Sequence, residues 1–157
     1  MSRVRAIAAV ADNGVIGDGL SIPWHISEDF KHFKRTTSGG IIAMGRRTWE
    51  SLGGRPLPNR ENVVLTSHPE TVGEGVRAFS TLDELLAAYA DDPRDIWIIG
   101  GAHLYETALD RCEELIISRV KASPKGDVFF PKFDDKFVQS EIILSRPEFD
   151  VVRYVRK

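Results

Sequence analysis

An aspartate four residues ahead of a phenylalanine, just after a Pro23-Trp24 pair, is the part of this 157-residue chain best suited to chemistry. Pro23 ends a glycine-bearing stretch. Ser27 then reads as the N-cap of a short amphipathic helix, with Glu28 and Asp29 in its first turn. Helical spacing gathers Ile26, Phe30 and Phe33 into an apolar surface and places Asp29 on the flank of Phe33. A carboxylate beside an aromatic wall accepts two parallel N–H bonds from a flat, nitrogen-rich heterocycle while the ring packs on the phenylalanine. The same acid is equally suited to a purely electrostatic role at the helix N-terminus.

Three glycine- or hydroxyl-bearing junctions share a second chemistry. Met44-Gly45-Arg46-Arg47-Thr48-Trp49 sets a glycine and two arginines between a strand pattern and a helix. Glycine admits a phosphate to the backbone, the helix end offers unpaired N–H groups, and arginine supplies charge. Ile99-Gly100-Gly101-Ala102-His103 repeats the plan without the charge, and Leu65-Thr66-Ser67-His68 ends a strand in two hydroxyls and an imidazole. None matches a Walker A loop or a G-x-G-x-x-G fingerprint. A tight turn explains a glycine after a strand just as well, and paired arginines often lie in solvent.

The elements that must carry these groups alternate. A continuous apolar run over 6–11 reads as a strand buried on both faces, 96–99 as another buried strand, and 41–44, 63–66 and 115–120 as further strands, with a short one over 76–79. Helices are expected from Ser27, over 48–52, through Leu82, Leu85, Leu86 and Tyr89 behind a Thr81/Glu84 capping box, and through Leu104, Tyr105 and Leu109. Two final stretches, 137–144 and 150–155, have no helix between them and read as an antiparallel pair. Such alternation predicts an α/β fold: a single domain over 1–157, with a mostly parallel central sheet flanked by helices and a C-terminal antiparallel hairpin. Ligands in such sheets bind beyond the carboxyl ends of the strands, where the glycine junctions fall.

Bulk composition narrows the class. With 42% hydrophobic and 28% charged residues the chain is built to fold, and its net charge of −2 offers nucleic acid no general attraction. Cys112 is the only cysteine, which excludes an internal disulfide. The apolar run at 6–11 is too short for a secretory signal and nothing approaches a membrane span, so the expected location is the cytoplasm. His25, His32, His68 and His103 share no metal-ligand spacing, so no metal site is expected. Trp97 and Trp49 read as packing residues, and Ser51 is as well suited to its own helix backbone as to a pocket wall.

Together and in order, these pieces resemble dihydrofolate reductase of the bacterial chromosomal type. The resemblance rests on Val15-Ile16-Gly17, Pro23-Trp24, Asp29, Phe33-Lys34, the run from Met44 to Ser51, Arg55-Pro56-Leu57-Pro58-x-Arg60, Ile99-Gly100-Gly101, Tyr105, Gly126-Asp127 and Phe130-Pro131. It implies NADPH-dependent reduction of 7,8-dihydrofolate to tetrahydrofolate in one-carbon metabolism. It also implies a monomer that binds antifolates and neither nucleic acid nor membrane. Asp29 would hold the pterin and favour protonation of the imine nitrogen through water that Trp24 helps to order. Ser118 stands where a threonine usually supports that acid.

By the same resemblance Ile7, Ala8, Phe33, Ile99 and Tyr105 surround the pterin, with Leu52 and Leu57 at the aminobenzoyl group and Arg60 on the glutamate α-carboxylate. Ala9, Ile16 and Gly17 fall at the nicotinamide, and Gly14 to Pro23 at a mobile loop closing over it. Gly45, Arg46, Arg47 and Thr48 take the phosphates, and Leu65, Thr66, Ser67 and His68 the adenosine. Ile99, Gly100, Gly101, Ala102, His103 and Leu104 complete the cofactor side, the glycine pair being joined in the family by a cis peptide. Two other readings compete: a same-fold reductase of the riboflavin pathway, against which Asp29, Trp24 and Arg60 argue, and a pterin- or nucleotide-binding module without turnover.

Overall fold

Residues 3–16, 26–73, 75–126 and 128–157 are described by a computed structural model, and across them every expected strand and helix is present. In chain order they are β1 (Val4–Ala11), α1 (Ser27–Thr37), β2 (Ile41–Gly45), α2 (Arg46–Ser51), β3 (Glu61–Leu65) and β4 (Arg77–Phe79). There follow α3 (Leu82–Ala88), β5 (Ile96–Gly100), α4 (Ala102–Ala108), β6 (Glu114–Val120), β7 (Phe137–Ser145) and β8 (Phe149–Arg156). Single 3-10 turns occupy Pro69–Thr71 and Leu109–Arg111.

The boundaries differ where capping was misjudged. Ile26, not Ser27, holds the N-cap position of α1, and no side chain caps it. Ser27 already has helical backbone because the chain arrives extended one residue earlier. Helix α2 starts at Arg46 rather than Thr48, directly on Gly45. Thr81 does cap α3, its Oγ1 accepting from Glu84 N at 3.1 Å.

All eight strands join one sheet in the order β4-β3-β2-β5-β1-β6-β8-β7. Pairs among the first six are parallel, and β8 runs antiparallel to both β6 and β7. From central β1 the chain leaves toward β2, returns to β5 and crosses to β6, so carboxyl ends diverge about β1 and leave a crevice there. Side chains alternate faces along each strand. Ile41, Ala43, Ile96, Ile98, Leu115 and Ile117 pack on one face, with α4. Ile42, Met44, Trp97 and Ile116 pack on the other, with Ile26 and Trp49. Each fully buried aliphatic side chain contributes about 1.5–3 kcal/mol, so two such faces account for the continuous apolar strands. Cys112 is buried in the first cluster, and burial pushes its thiol up to about 12. Among the described residues no helix is long and apolar enough to cross a membrane, and no group of His, Cys, Asp and Glu could hold a metal ion.

Candidate active site

Asp29 sits in the first turn of α1, and Ser118 near the carboxyl end of β6, in register with Ala9 of β1. Ser118 Oγ donates to Asp29 Oδ1 at 2.6 Å, and both side chains are buried. Burial raises the Asp29 carboxyl above its ordinary value. The Ser118 hydrogen bond and the nearby His32 pull the other way without cancelling it. Ser118→Ala should therefore raise the Asp29 pKa further and move the acid limb of any Asp29-dependent pH profile upward. It should also cost about 1–3 kcal/mol, the cost of a buried acceptor left unpaired. A pH series of turnover together with a denaturant titration measures both.

One apolar cluster brings Ile7 and Ile26 together with half-buried Ala9, Phe33, Leu52, Leu57 and Ile99. Five of the residues expected around the substrate, Ile7, Phe33, Leu52, Leu57 and Ile99, thus share the face on which α1 lies. Phe30, expected on the same apolar surface from helical spacing, is 42% exposed and is not among the buried residues of this cluster. Ala8 and Tyr105 belong to the opposite face, because strand alternation turns Ala8 away from Ile7. Tyr105 reaches the site only through the backbone, its hydroxyl donating to Ile7 O at 2.7 Å.

Arg60 lies at the outer end of this wall, its Cζ 5.8 Å from the Phe33 ring centre. Its Nε donates to Pro58 O at 2.9 Å and its Nη1 to Thr37 Oγ1 at 3.1 Å. Thr37 in turn donates to Phe33 O at 2.8 Å. Asn62 holds the preceding loop: its Oδ1 accepts from Leu57 N at 2.8 Å, and its Nδ2 donates to Leu57 O and Arg60 O. Neither Thr37 nor Asn62 was expected at the site. An asparagine opening an otherwise apolar strand was the available signal, since strands are poor in asparagine unless its amide has backbone to serve.

The glycine junctions meet side by side. Met44 is in register with Gly100, so β2 and β5 end together and α2 and α4 begin from adjacent points. Gly45 and Gly101 hold the two N-cap positions without a side-chain cap, which leaves backbone N–H groups there unclaimed by side chains. The Gly100–Gly101 peptide is cis. Gly100 has φ +130°, a backbone conformation that strains any residue with a side chain, whereas a Cβ there would meet Thr48 Oγ1 and the Tyr105 hydroxyl only at ordinary contact distance.

Arg46 and Arg47 are exposed, Arg46 reaching Glu50 at 3.3 Å. Thr66 is buried and accepts from His68 N at 3.1 Å. Ser67 and His68 are exposed, with His68 facing Glu70 at 3.6 Å, and Leu65 is half-buried. Ile16 and Leu104 pack their side chains into the core on the α4 face, where they offer a ligand little more than backbone. Ala102 is half-buried and His103 exposed. Ser51 donates to Thr48 O at 2.6 Å, the helix-backbone role. Gly17, Trp24, His25, Asp127 and most of the expected loop lie outside the described residues.

A carboxylate held in a crevice at the centre of a doubly covered sheet, beside paired glycine junctions, defines a nucleotide-dependent α/β enzyme. The family model for dihydrofolate reductase matches residues 3–147. The dihydrofolate reductase HdrB of Haloferax volcanii is 40% identical, the match spanning 96% of this chain and 82% of that protein. Dihydrofolate reductase type 3 of Salmonella typhimurium is 44% identical across 83% of this chain and 79% of its own length. The solved structure of dihydrofolate reductase from Enterococcus faecalis complexed with NADP(H) and RAB-propyl superposes with a TM-score of 0.87, at 33% identity, over 98% of this chain and 96% of that one. The chain belongs to the dihydrofolate reductase family, whose reaction is the NADPH-dependent reduction of 7,8-dihydrofolate to 5,6,7,8-tetrahydrofolate.

Proposed function

We propose that this chain performs that reduction through Asp29, and that the buried Asp29–Ser118 pair beside the Ile7–Phe33–Ile99 wall is the observation that carries the assignment. Asp29 accepts the 2-amino group and ring N–H of the pterin and favours the protonated imine. Ser118 fixes the carboxylate's orientation, and Trp24 is assigned, by the family resemblance alone, to ordering the water that carries the proton. The wall excludes water from the ring, Leu52 and Leu57 take the aminobenzoyl group, and Arg60 pairs with the α-carboxylate.

NADPH, when bound, supplies the hydride. The residues present fit it: adjacent glycine junctions at the ends of β2 and β5, backbone at Gly45 and Gly101 without side-chain caps, and two exposed arginines. Ala9, Ile16, Gly17 and Ile99 would border the nicotinamide, with Ala102, His103 and Leu104 contributing backbone beyond the glycine pair. Thr48, Leu65, Thr66, Ser67 and His68 would hold the far half. The enzyme is read as one catalytic domain over 1–157, a cytoplasmic monomer open to antifolates and without nucleic-acid or membrane partners. Loss of NADPH absorbance on adding dihydrofolate, absent with a ribosylated pyrimidine, tests the assignment.

Cofactor choice gives a sharper test. The Arg46–Glu50 pair is exposed on both sides and worth little, so Arg46 is available to a phosphate. Arg46→Ala should weaken NADPH about 10-fold or more and NADH hardly at all, as expected for one charge-assisted contact to the 2′-phosphate. Equal losses would assign the arginine to the shared pyrophosphate or to the fold.

A further inference from the structure

Arg60 is half-buried, and among the described residues no carboxylate pairs with it; burial alone moves its pKa, downward. Its backbone is fixed from two sides. Asn62 Nδ2 donates to Arg60 O at 3.0 Å, and the same side-chain amide bonds both backbone atoms of Leu57. Gly39 N donates to Asn59 O at 2.8 Å and Glu61 N to Gly40 O at 3.0 Å, which joins the loop to the end of α1. Asn59 turns the chain with φ +63°, a left-handed conformation that asparagine tolerates.

The guanidinium plane is what the backbone leaves loose, and two acceptors set it. Nε donates to Pro58 O at 2.9 Å and Nη1 to Thr37 Oγ1 at 3.1 Å. A guanidinium has five N–H donors and no acceptor, so the polarity of the Thr37 contact is fixed. The hydroxyl accepts from Arg60, and its own proton goes to Phe33 O at 2.8 Å. Five donors less the two engaged leave three, both on Nη2 and one on Nη1, for an anion.

A threonine that bonds the carbonyl four residues back is common in helices and by itself only satisfies its own hydroxyl. Here the oxygen of that hydroxyl also holds an arginine, and Thr37 is 0% exposed, so water does not substitute for it. The chain of bonds from Arg60 through Thr37 ends on the backbone of Phe33, whose ring stands 5.8 Å from Arg60 Cζ. About 6 Å of helix rise separates Phe33 from Thr37, and that one turn sets how far the guanidinium lies from the aromatic wall.

We propose that Thr37 is a positioning residue for substrate: its hydroxyl holds the Arg60 guanidinium in the orientation that receives the carboxylate of the tail before substrate arrives. The proposal rests on the role assigned to Arg60 above. Thr37→Val keeps the shape and removes the hydroxyl, whereas Thr37→Ser keeps the hydroxyl. On the full chain, Thr37→Val should weaken dihydrofolate about three- to tenfold, in KM rather than kcat, the net worth of one hydrogen bond. An antifolate without a glutamate tail should shift by less than about twofold, and Thr37→Ser should return dihydrofolate to within about twofold of the parent. In an Arg60→Leu background, Thr37→Val should add no further loss, because the group it positions is gone. With that tail-less antifolate bound, ¹⁵N NMR should resolve separate Arg60 Nη signals in the parent and in Thr37→Ser, and a merged, freely rotating pair in Thr37→Val. Merged signals in the parent, which needs no variant to fold, would overturn the proposal. So would equal weakening of both ligands, or of neither, by Thr37→Val while Arg60→Leu still discriminates between them, and the Arg60 clamp would then stand alone. Failure of Arg60→Leu to discriminate would remove the clamp and, with it, the role of Thr37.

Discussion

Asp29→Asn is expected to lower turnover by about 10²–10⁴-fold, the usual contribution of a positioned proton-handling group, while leaving the apo protein at least as stable at pH 7. Shape is nearly conserved, and the asparagine carbonyl can still accept from Ser118. What disappears is a buried charge. Burial raises the folded Asp29 pKa above its ordinary 3.8, so between those two values the native state holds more protons than the unfolded one. Stability therefore falls as pH rises through that window, and the full cost is present above the folded value. The variant should lack this decline and melt at the same or a higher temperature. Its amide cannot both accept two pterin N–H bonds and favour the protonated imine, which is where activity is lost. Thermal melts at several pH values and turnover on the same preparation make the comparison. Normal turnover would remove Asp29 from the mechanism, whereas strong destabilisation would assign it to the helix end.

Arg60→Leu should separate substrate from inhibitors. A charge-assisted hydrogen bond contributes about 1.5–3 kcal/mol, so dihydrofolate should bind about 10–150-fold more weakly. Antifolates without a glutamate tail should shift by less than about threefold, since they lack the partner the guanidinium serves. The arginine also ties Pro58 and Thr37 together, so a melting curve must accompany the binding data. Equal weakening of both ligand classes would show Arg60 to be a brace for the loop rather than a carboxylate clamp.

What could be read from the residues alone was whatever depended on periodicity. The strands around β1 are rich in apolar residues on both faces because both faces are covered, and that signal survives without any knowledge of neighbours. Asp29 and Phe33 were singled out by helical spacing, although a first-turn acid has an equally good electrostatic use, and Arg60 was singled out only through the family resemblance. Other features depended on which face a neighbour covers. Phe30 satisfied the helical spacing yet is 42% exposed, and Ala8 and Tyr105 followed the family motif yet pack on the opposite face of the sheet. Ser27 carried the usual capping side chain but stood one residue too late.

The placement of β1 between β5 and β6 also sets a condition on synthesis. Strand β1 is made before both of its hydrogen-bonding neighbours, which begin at Ile96 and Glu114. A chain growing from the ribosome cannot complete the middle of its sheet until β6 has emerged, and closing such distant pairs is intrinsically slow. Over that interval the apolar strip from Ala6 to Ala11 has no lateral partner. The emerging polypeptide is then a natural client for holding factors, and a message truncated before β6 yields no smaller folded reductase but a chain with an unpaired central strand.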